Sequence, residues 1–285
     1  MKLKQTKRED VKLRIGISGP SGFGKTYSAL QLAYGMTQDW SKIAVIDTEN
    51  SSASLYSDLG YYNVLDLQEP FSPERYCEAI SVCENSALSV IIIDSISHEW
   101  SGTGGCLQIH EKLGGRFQDW AKITPRHQAF IDKLLQSPCH IITTTRRKTD
   151  YSMDVGSNGK TQVIKHGTKE ITREGYEYEL TVSFEIINDN HLVKASKDRT
   201  NLFMNKPEFV IKPSTGKRLI QWSKSSITKK EVEKAINSSN SLGELSQVYR
   251  ENPAFQKQLN QLFQQKKQQI EQLTNNKNFS QNGIK

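Results

Sequence analysis

The chain has 285 residues, with 38 Lys+Arg against 31 Asp+Glu, a formal net charge of +7 and a pI near 9.1. Hydrophobic residues make up 35% and the mean hydropathy is −0.61, and no apolar run approaches the roughly 18 residues of a membrane helix. No apolar signal segment opens the sequence and the four cysteines (Cys77, Cys83, Cys106, Cys139) lack metal-ligand spacing, so secreted, membrane and zinc-finger classes are set aside and reduced thiols in a cytoplasmic protein are expected.

In chain order, residues 12–18 read as a short strand, followed by a glycine-rich turn and a helix over 25–36. A second buried strand spans 43–47. Ser72-Pro73 opens a helix that runs to about 85, with serine at the cap and proline at the first helical position. Residues 90–94 form a continuous β-branched strand of the kind buried on both faces. Thr124-Pro125 is expected to open the next helix, to about 136, ahead of a strand over 140–145. Strands alternating with helices of this length predict an α/β fold with a mostly parallel sheet. Residues 176–196 then read as antiparallel strands about the turn Asn188-Asp189-Asn190. Beyond Trp222 the composition turns to Ser, Asn, Gln and Lys. Thr228 with Glu231 and Ser241 with Glu244 are capping boxes, and Phe255, Leu259, Leu262, Phe263, Ile270 and Leu273 fall near one helical face. The expected organisation is a basic arm over 1–14, a core over 15–223 and a helical, Gln/Lys-rich appendage over 224–285, fraying after Thr274.

The charge follows this division. Residues 1–14 hold six Lys/Arg against two acids and residues 224–285 hold ten against five, which leaves the middle slightly acidic. Within that middle, residues 146–173 hold seven Lys/Arg against three acids. Such segregated basic pieces suit a polyanionic partner.

Gly19-Pro20-Ser21-Gly22-Phe23-Gly24-Lys25-Thr26 matches the phosphate-binding loop pattern in full, with the required strand before it and helix after it. Backbone N–H groups of Gly19 to Gly24 would wrap the phosphates of ATP. Lys25 would reach the β- and γ-phosphates, the Thr26 hydroxyl would ligate Mg²⁺, and Tyr27 enters the helix whose positive end faces the same anions. Asp94, ending the apolar strand 90–94, is the second expected Mg²⁺ ligand. Two carboxylates, Glu49 and Glu99, compete as the group that activates water, because both follow strand ends that face the ligand crevice of a doubly wound sheet. The chain carries no Asn-Lys-x-Asp guanine-reading motif, so adenine is the expected base.

Val45-Ile46-Asp47-Thr48-Glu49 after the phosphate-loop helix, with Ile92-Ile93-Asp94-Ser95, resembles the RecA/RadA-type ATPase core. More specifically, Asp94 to Trp100 with Gly104-Gly105, Thr124-Pro125-Arg126-His127, Gln136-Ser137-Pro138 and Ser196 to Thr200 resemble the RecA-like ATPases of bacteriophages, the phage AAA-type nucleotide-binding proteins. The resemblance covers about residues 11–220 and implies a RecA-like P-loop NTPase fold, with Glu49 as the catalytic carboxylate. It also implies single-stranded DNA as partner in annealing-type recombination, a possible recombination partner protein, and a bacterial host cytoplasm. Lys197 and Arg199 resemble the Lys-x-Arg fingers that stabilise γ-phosphate charge on a neighbouring subunit, which implies a homo-oligomer, ring or filament. Strand alternation would place the two on one face.

Thr145 and Arg146 are candidate γ-phosphate sensors at the end of strand 140–145. Residues 100–105 and 147–169 correspond to the segments that line the DNA path in RecA-like folds; for the second, a flexible basic loop with Tyr151 and His166 available for stacking and a surface hairpin with ordinary charges both remain open. Trp100 is a candidate stacking residue, whereas Trp40, Trp120 and Trp222 are expected to pack a core. His98 and His110 find no third ligand at suitable spacing, so no metal beyond Mg²⁺ is expected. Two other readings remain open at this level. One is a small-molecule kinase with Arg146 and Arg147 as lid cations; the other is a nucleotide-gated binding module with negligible turnover.

Overall fold

The computed structural model describes residues 11–155, 161–224 and 229–281, with the side chains of 150–166, 254 and 273–281 left aside. Most of the basic arm, the Thr228 cap and the side chains of Tyr151, His166 and Leu273 therefore lie outside the described residues. The chain divides into two compact units, Asp10–Arg199 with Phe203–Gln221, and Thr200–Leu202 with the chain from Trp222.

In the first unit the strand order is β3 (Asn63–Asp66), β2 (Ile43–Asp47), β4 (Val90–Asp94), β5 (His140–Val155), β1 (Arg14–Gly19), β7 (Val182–Ile186), β8 (Leu192–Asp198) and β9 (Phe209–Val210). Neighbours from β3 to β7 are parallel, and β8 and β9 are antiparallel additions. The mostly parallel α/β sheet, with antiparallel strands at one edge, is as expected. Because β5 lies between β1 and β4, the phosphate loop and Asp94 sit two strands apart with the end of β5 between them.

The parallel strands are apolar on both faces, as a sheet covered by helices on both sides requires. Ala44, Ile46, Ile91, Ile93 and Ile141 face a cluster built with α2 (Pro73–Glu84) and α5 (Trp120–Gln136), where Tyr76 and Phe130 meet edge to face. Alternation turns Val45, Ile92 and Ile142 to the other side, where α1 (Lys25–Thr37) packs. Among the described residues Arg14 is an unusual member of this interior. Its guanidinium donates to the carbonyls of Leu13, Cys139, Leu135 and Ser137, and desolvation lowers its pKa to about 10.

Two expectations change, and one left open is resolved. The helix after residue 115 begins at Trp120, so Pro125 stands inside it. Ring stacking of Trp120 on Trp100 and His110 anchors a turn earlier than the Thr-Pro signal. Tyr176–Glu179 is a helical turn, α6, and not strand. Its alternating Tyr and Glu imitate a strand, but Gly175 at φ 93° turns the chain and Tyr176 sinks to bond Thr143. Of the loop and hairpin readings left open after β5, the chain takes the hairpin. β5 continues to Val155 and pairs antiparallel with β6 (Thr161–Glu170), in register from Arg147↔Glu170 to Val155↔Thr161 with one irregularity at Asp150/Tyr151.

The second unit contains α8 (Lys229–Ser238), α9 (Leu242–Glu251) and α10 (Asn260–Gln281). Val232, Ile236, Leu245, Leu259, Phe263 and Ile270 form its core, with Phe255 and Leu262 packed against it. The Ser241 hydroxyl accepts from the Glu244 N–H while the Glu244 carboxylate returns to the Asn240 N–H, so the predicted cap forms. Among the described residues no helix is long and apolar enough to cross a membrane.

Candidate nucleotide site

The site gathers at the carboxyl ends of β1, β2, β4 and β5. After β1 the chain turns through Gly22 and Gly24, at φ 81° and 85°, a left-handed region that glycine enters without strain. Gly24 also has no room for a side chain, since a Cβ there would lie 2.8 Å from His191 Nδ1. The same His191 nitrogen lies 2.8 Å from the Phe23 carbonyl oxygen, so the β7–β8 turn braces the loop from outside. Nothing in the sequence pattern marked that histidine. α1 begins at Lys25 and has no acidic residue in its first turn, which leaves its positive end free to face an anion. Tyr27 is partly exposed and meets the Tyr56 ring at 5.8 Å.

Lys25 is buried, and its Nζ donates to the Pro20 carbonyl at 2.9 Å. Desolvation lowers its pKa, opposed by the negative charges of Asp94 and Glu49. The Thr26 hydroxyl donates to one oxygen of Asp94 and the Thr144 hydroxyl to the other. Asp94 is 1% exposed, and burial pushes its pKa up against those two hydrogen bonds. Hydroxyl and carboxylate oxygens form a donor set that suits Mg²⁺. The residues present therefore fit the expected metal.

Thr144 is the β5 hydroxyl that reaches Asp94, a contact not foreseen beside the candidate γ-phosphate sensor Thr145. Thr145 is the next residue along β5 and points to the opposite face of the sheet, while still buried at 1% exposure. The pairing of β5 with β1 and β4 fixes this choice, and it could not be read from Thr144-Thr145 alone.

Glu49 stands just past β2. Asp47 is buried and accepts from the Glu49 N–H at 2.6 Å and the Ala53 N–H at 2.7 Å, which fixes the turn that carries Glu49. The Glu49 carboxylate accepts from Arg146 Nε at 2.8 Å. Burial raises the Glu49 pKa, but the Arg146 hydrogen bond and charge, with His98 and Lys25, more than reverse this and leave it below the ordinary value. Arg146 is held at the base of the hairpin, its backbone N–H donating to the Ser97 hydroxyl at 2.9 Å. The other proposed lid cation, Arg147, pairs with Glu170 at 3.3 Å and Glu185 at 3.5 Å.

Glu99 is not brought to this crevice. It lies on the single turn α3 (Ser97–Ser101) at 1% exposure, bonded to Cys106 and His127. The other residues of α3 point elsewhere. Thr48 Oγ1 and His98 Nδ1 lie 2.8 Å apart, and Trp100 stacks on Trp120 with ring centroids 5.6 Å apart. Trp100 and Trp120 form part of the wall of a cleft of about 680 Å³ that also takes in Phe117, Lys148, Lys169 and Arg173. Trp120 thus lines a cleft, where packing in a core was expected. Phe117 is 93% exposed. Lys197 and Arg199 share one face of the chain, but neither reaches the phosphate loop. Lys197 Nζ donates to the carbonyls of Glu177 and Tyr178, and Arg199 to that of Tyr178.

A family model described as AAA domain matches residues 11–226. Among solved structures the chain is similar to a KaiC-like protein of the hyperthermophilic archaeon Pyrococcus horikoshii, with 17% identity and a TM-score of 0.41 over 71% of this chain and 87% of that one. It is also similar to an ATPase from the type III secretion system of pathogenic bacteria, with 13% identity and a TM-score of 0.38 over 65% of this chain and 57% of that one. No curated protein matches.

Proposed function

Because the chain belongs to the AAA domain family, we propose that it is a Mg²⁺-dependent ATPase of RecA-like type that works as an oligomer on single-stranded DNA. The observation that carries the hydrolytic part is the meeting of Lys25, Thr26, Asp94 and Glu49 at one end of the sheet. In this reading the backbone N–H groups of the loop and the Lys25 ammonium hold the β- and γ-phosphates of ATP or ADP. Thr26 and Asp94 would hold Mg²⁺, which supplies charge neutralisation to the phosphate oxygens. Glu49 orients the attacking water and accepts its proton. Arg146 holds that carboxylate ionised and fixes its direction.

The DNA part rests on the cleft. Three aromatic rings lie beside Lys148, Lys169 and Arg173, with Glu170 and Glu174 also in the lining and Lys169 paired to Glu174; release of that pair would join cations to stacking surfaces, the combination that suits single-stranded nucleic acid. A role in phage-type annealing recombination is consistent with that partner. Lys197 and Arg199 would leave their carbonyl partners to enter a neighbour's site. The test is ATPase rate and sedimentation of the purified chain, with and without single-stranded DNA, at two salt concentrations. DNA-stimulated turnover by an assembled species is expected. Turnover by a monomer indifferent to DNA would overturn the DNA and oligomer assignments, and no turnover under any condition would overturn the ATPase.

A further inference from the structure

We propose that Glu99, Cys106 and His127 form a binding site for a divalent transition metal, zinc by donor chemistry, behind the aromatic wall of the cleft. The three side chains come from separate segments, α3, the first residue of α4 (Cys106–Lys112) and the middle of α5. Their ligand atoms all lie within 4.8 Å of one another. Cys106 Sγ is 3.1 Å from Glu99 Oε1, and His127 Nδ1 is 3.0 Å and 3.1 Å from the two Glu99 oxygens. Nitrogen, sulfur and carboxylate oxygen together are donors that Zn²⁺ accepts, whereas Mg²⁺ and Ca²⁺ prefer oxygen alone.

Burial sharpens the point. Exposure is 1% for Glu99, 0% for Cys106 and 5% for His127. A carboxylate so enclosed needs a compensating positive charge. Among the described residues no Lys or Arg makes an ion pair with Glu99; the imidazole of His127 is its one basic partner. A bound Zn²⁺ would supply that charge. On binding, the Cys106 proton passes to solvent and an S–Zn bond replaces the S–H bond, with imidazole and carboxylate as the other protein ligands. His98 and His110 take no part. His98 bonds Thr48, and His110 Nε2 lies 2.9 Å from the Arg116 carbonyl.

The site lies against the cleft. The His127 ring meets Trp100 edge-on at 5.6 Å and Phe130 at 6.3 Å. A metal there would lock α3, α4 and α5 together and hold Trp100 in place. The proposal stands apart from the nucleotide reading, since none of the three residues touches the phosphate loop.

The experiment uses the full chain stripped with a chelator and titrated with Co²⁺, then Zn²⁺, in excess Mg²⁺. A thiolate-to-cobalt absorption band in the near ultraviolet should grow to one equivalent and be bleached by Zn²⁺. Cys106→Ser should abolish the band, His127→Gln should weaken binding at least about tenfold, and Cys139→Ser should leave it intact. A wild-type chain that shows no band and retains no metal by elemental analysis would overturn the proposal, whatever the variants do. So would a band that survives Cys106→Ser. A purely hydrogen-bonded Cys–Glu–His cluster predicts the first of these results.

Discussion

Asp94→Asn removes a charge from a carboxyl that is 1% exposed while keeping its shape. The environment of Asp94 favours the neutral form, because desolvation outweighs the hydrogen bonds from Thr144 and Thr26. A carboxyl whose pKa is raised on folding binds its proton more readily folded than unfolded, so the native state loses stability as pH climbs from the ordinary carboxylate range through the raised pKa. At neutral pH the metal-free wild type bears that penalty and the amide does not. The Thr26 and Thr144 hydroxyls can rotate to accept from the new amide. A buried, incompletely compensated group of this kind costs about 1–3 kcal/mol. In a unit of this size each kcal/mol moves Tm by roughly 2–4 °C. Asp94→Asn in EDTA should therefore melt about 2–12 °C above wild type near pH 8, with a smaller gap near pH 5. Adding Mg²⁺ and ATP should raise the wild-type Tm by more than that of the variant, which keeps the loop and Lys25 but loses a metal ligand. Differential scanning fluorimetry at both pH values decides it. A variant that melts below wild type in EDTA at pH 8 would refute the claim that this carboxylate is a net burden to the empty fold.

Four further outcomes follow from the same geometry. Glu49→Gln should retain ATP binding and lose at least about a hundredfold in kcat, the range for removing a positioned base. Arg146→Ala leaves only His98 and Lys25 to oppose burial at Glu49, so the acid limb of the kcat–pH profile should move to higher pH; an unmoved limb counts against Glu49 as the titrating group. Arg14→Leu strands the carbonyls of Leu135, Ser137 and Cys139 and should lower stability by about 3 kcal/mol in urea unfolding. Trp100→Ala should weaken single-stranded DNA binding by about 1–3 kcal/mol while Lys148→Ala flattens the salt dependence; equal affinity for all three proteins would remove the cleft from the DNA path.

What the sequence made legible was whatever is local. The phosphate loop, its flanking strand and helix, and the aspartate closing an apolar strand are short-range patterns, and each stands where its spacing put it. Contacts between distant segments were another matter. Arg146 and Glu49 are 97 residues apart, and only the parallel order β2, β4, β5 brings their strand ends together. The choice of Thr144 over Thr145 is likewise a matter of sheet register. Tyr176–Glu179 misled because a period of two is necessary for a half-buried strand but not sufficient, and one glycine at positive φ decided otherwise. The Glu99–Cys106–His127 cluster escaped a search by spacing because its members belong to three different helices.

α3 is a single helical turn, too short to hold its shape alone. Its successive side chains engage the Arg146 backbone, Thr48, the Cys106–His127 pair and Trp120. Such a segment works like a key cut on four sides, which turns as one piece or not at all. A shift of Trp100 would therefore be felt at Thr48, the residue before Glu49, and at the seat of Arg146. A substitution that repositions Trp100 is then felt as far away as the Glu49–Arg146 pair.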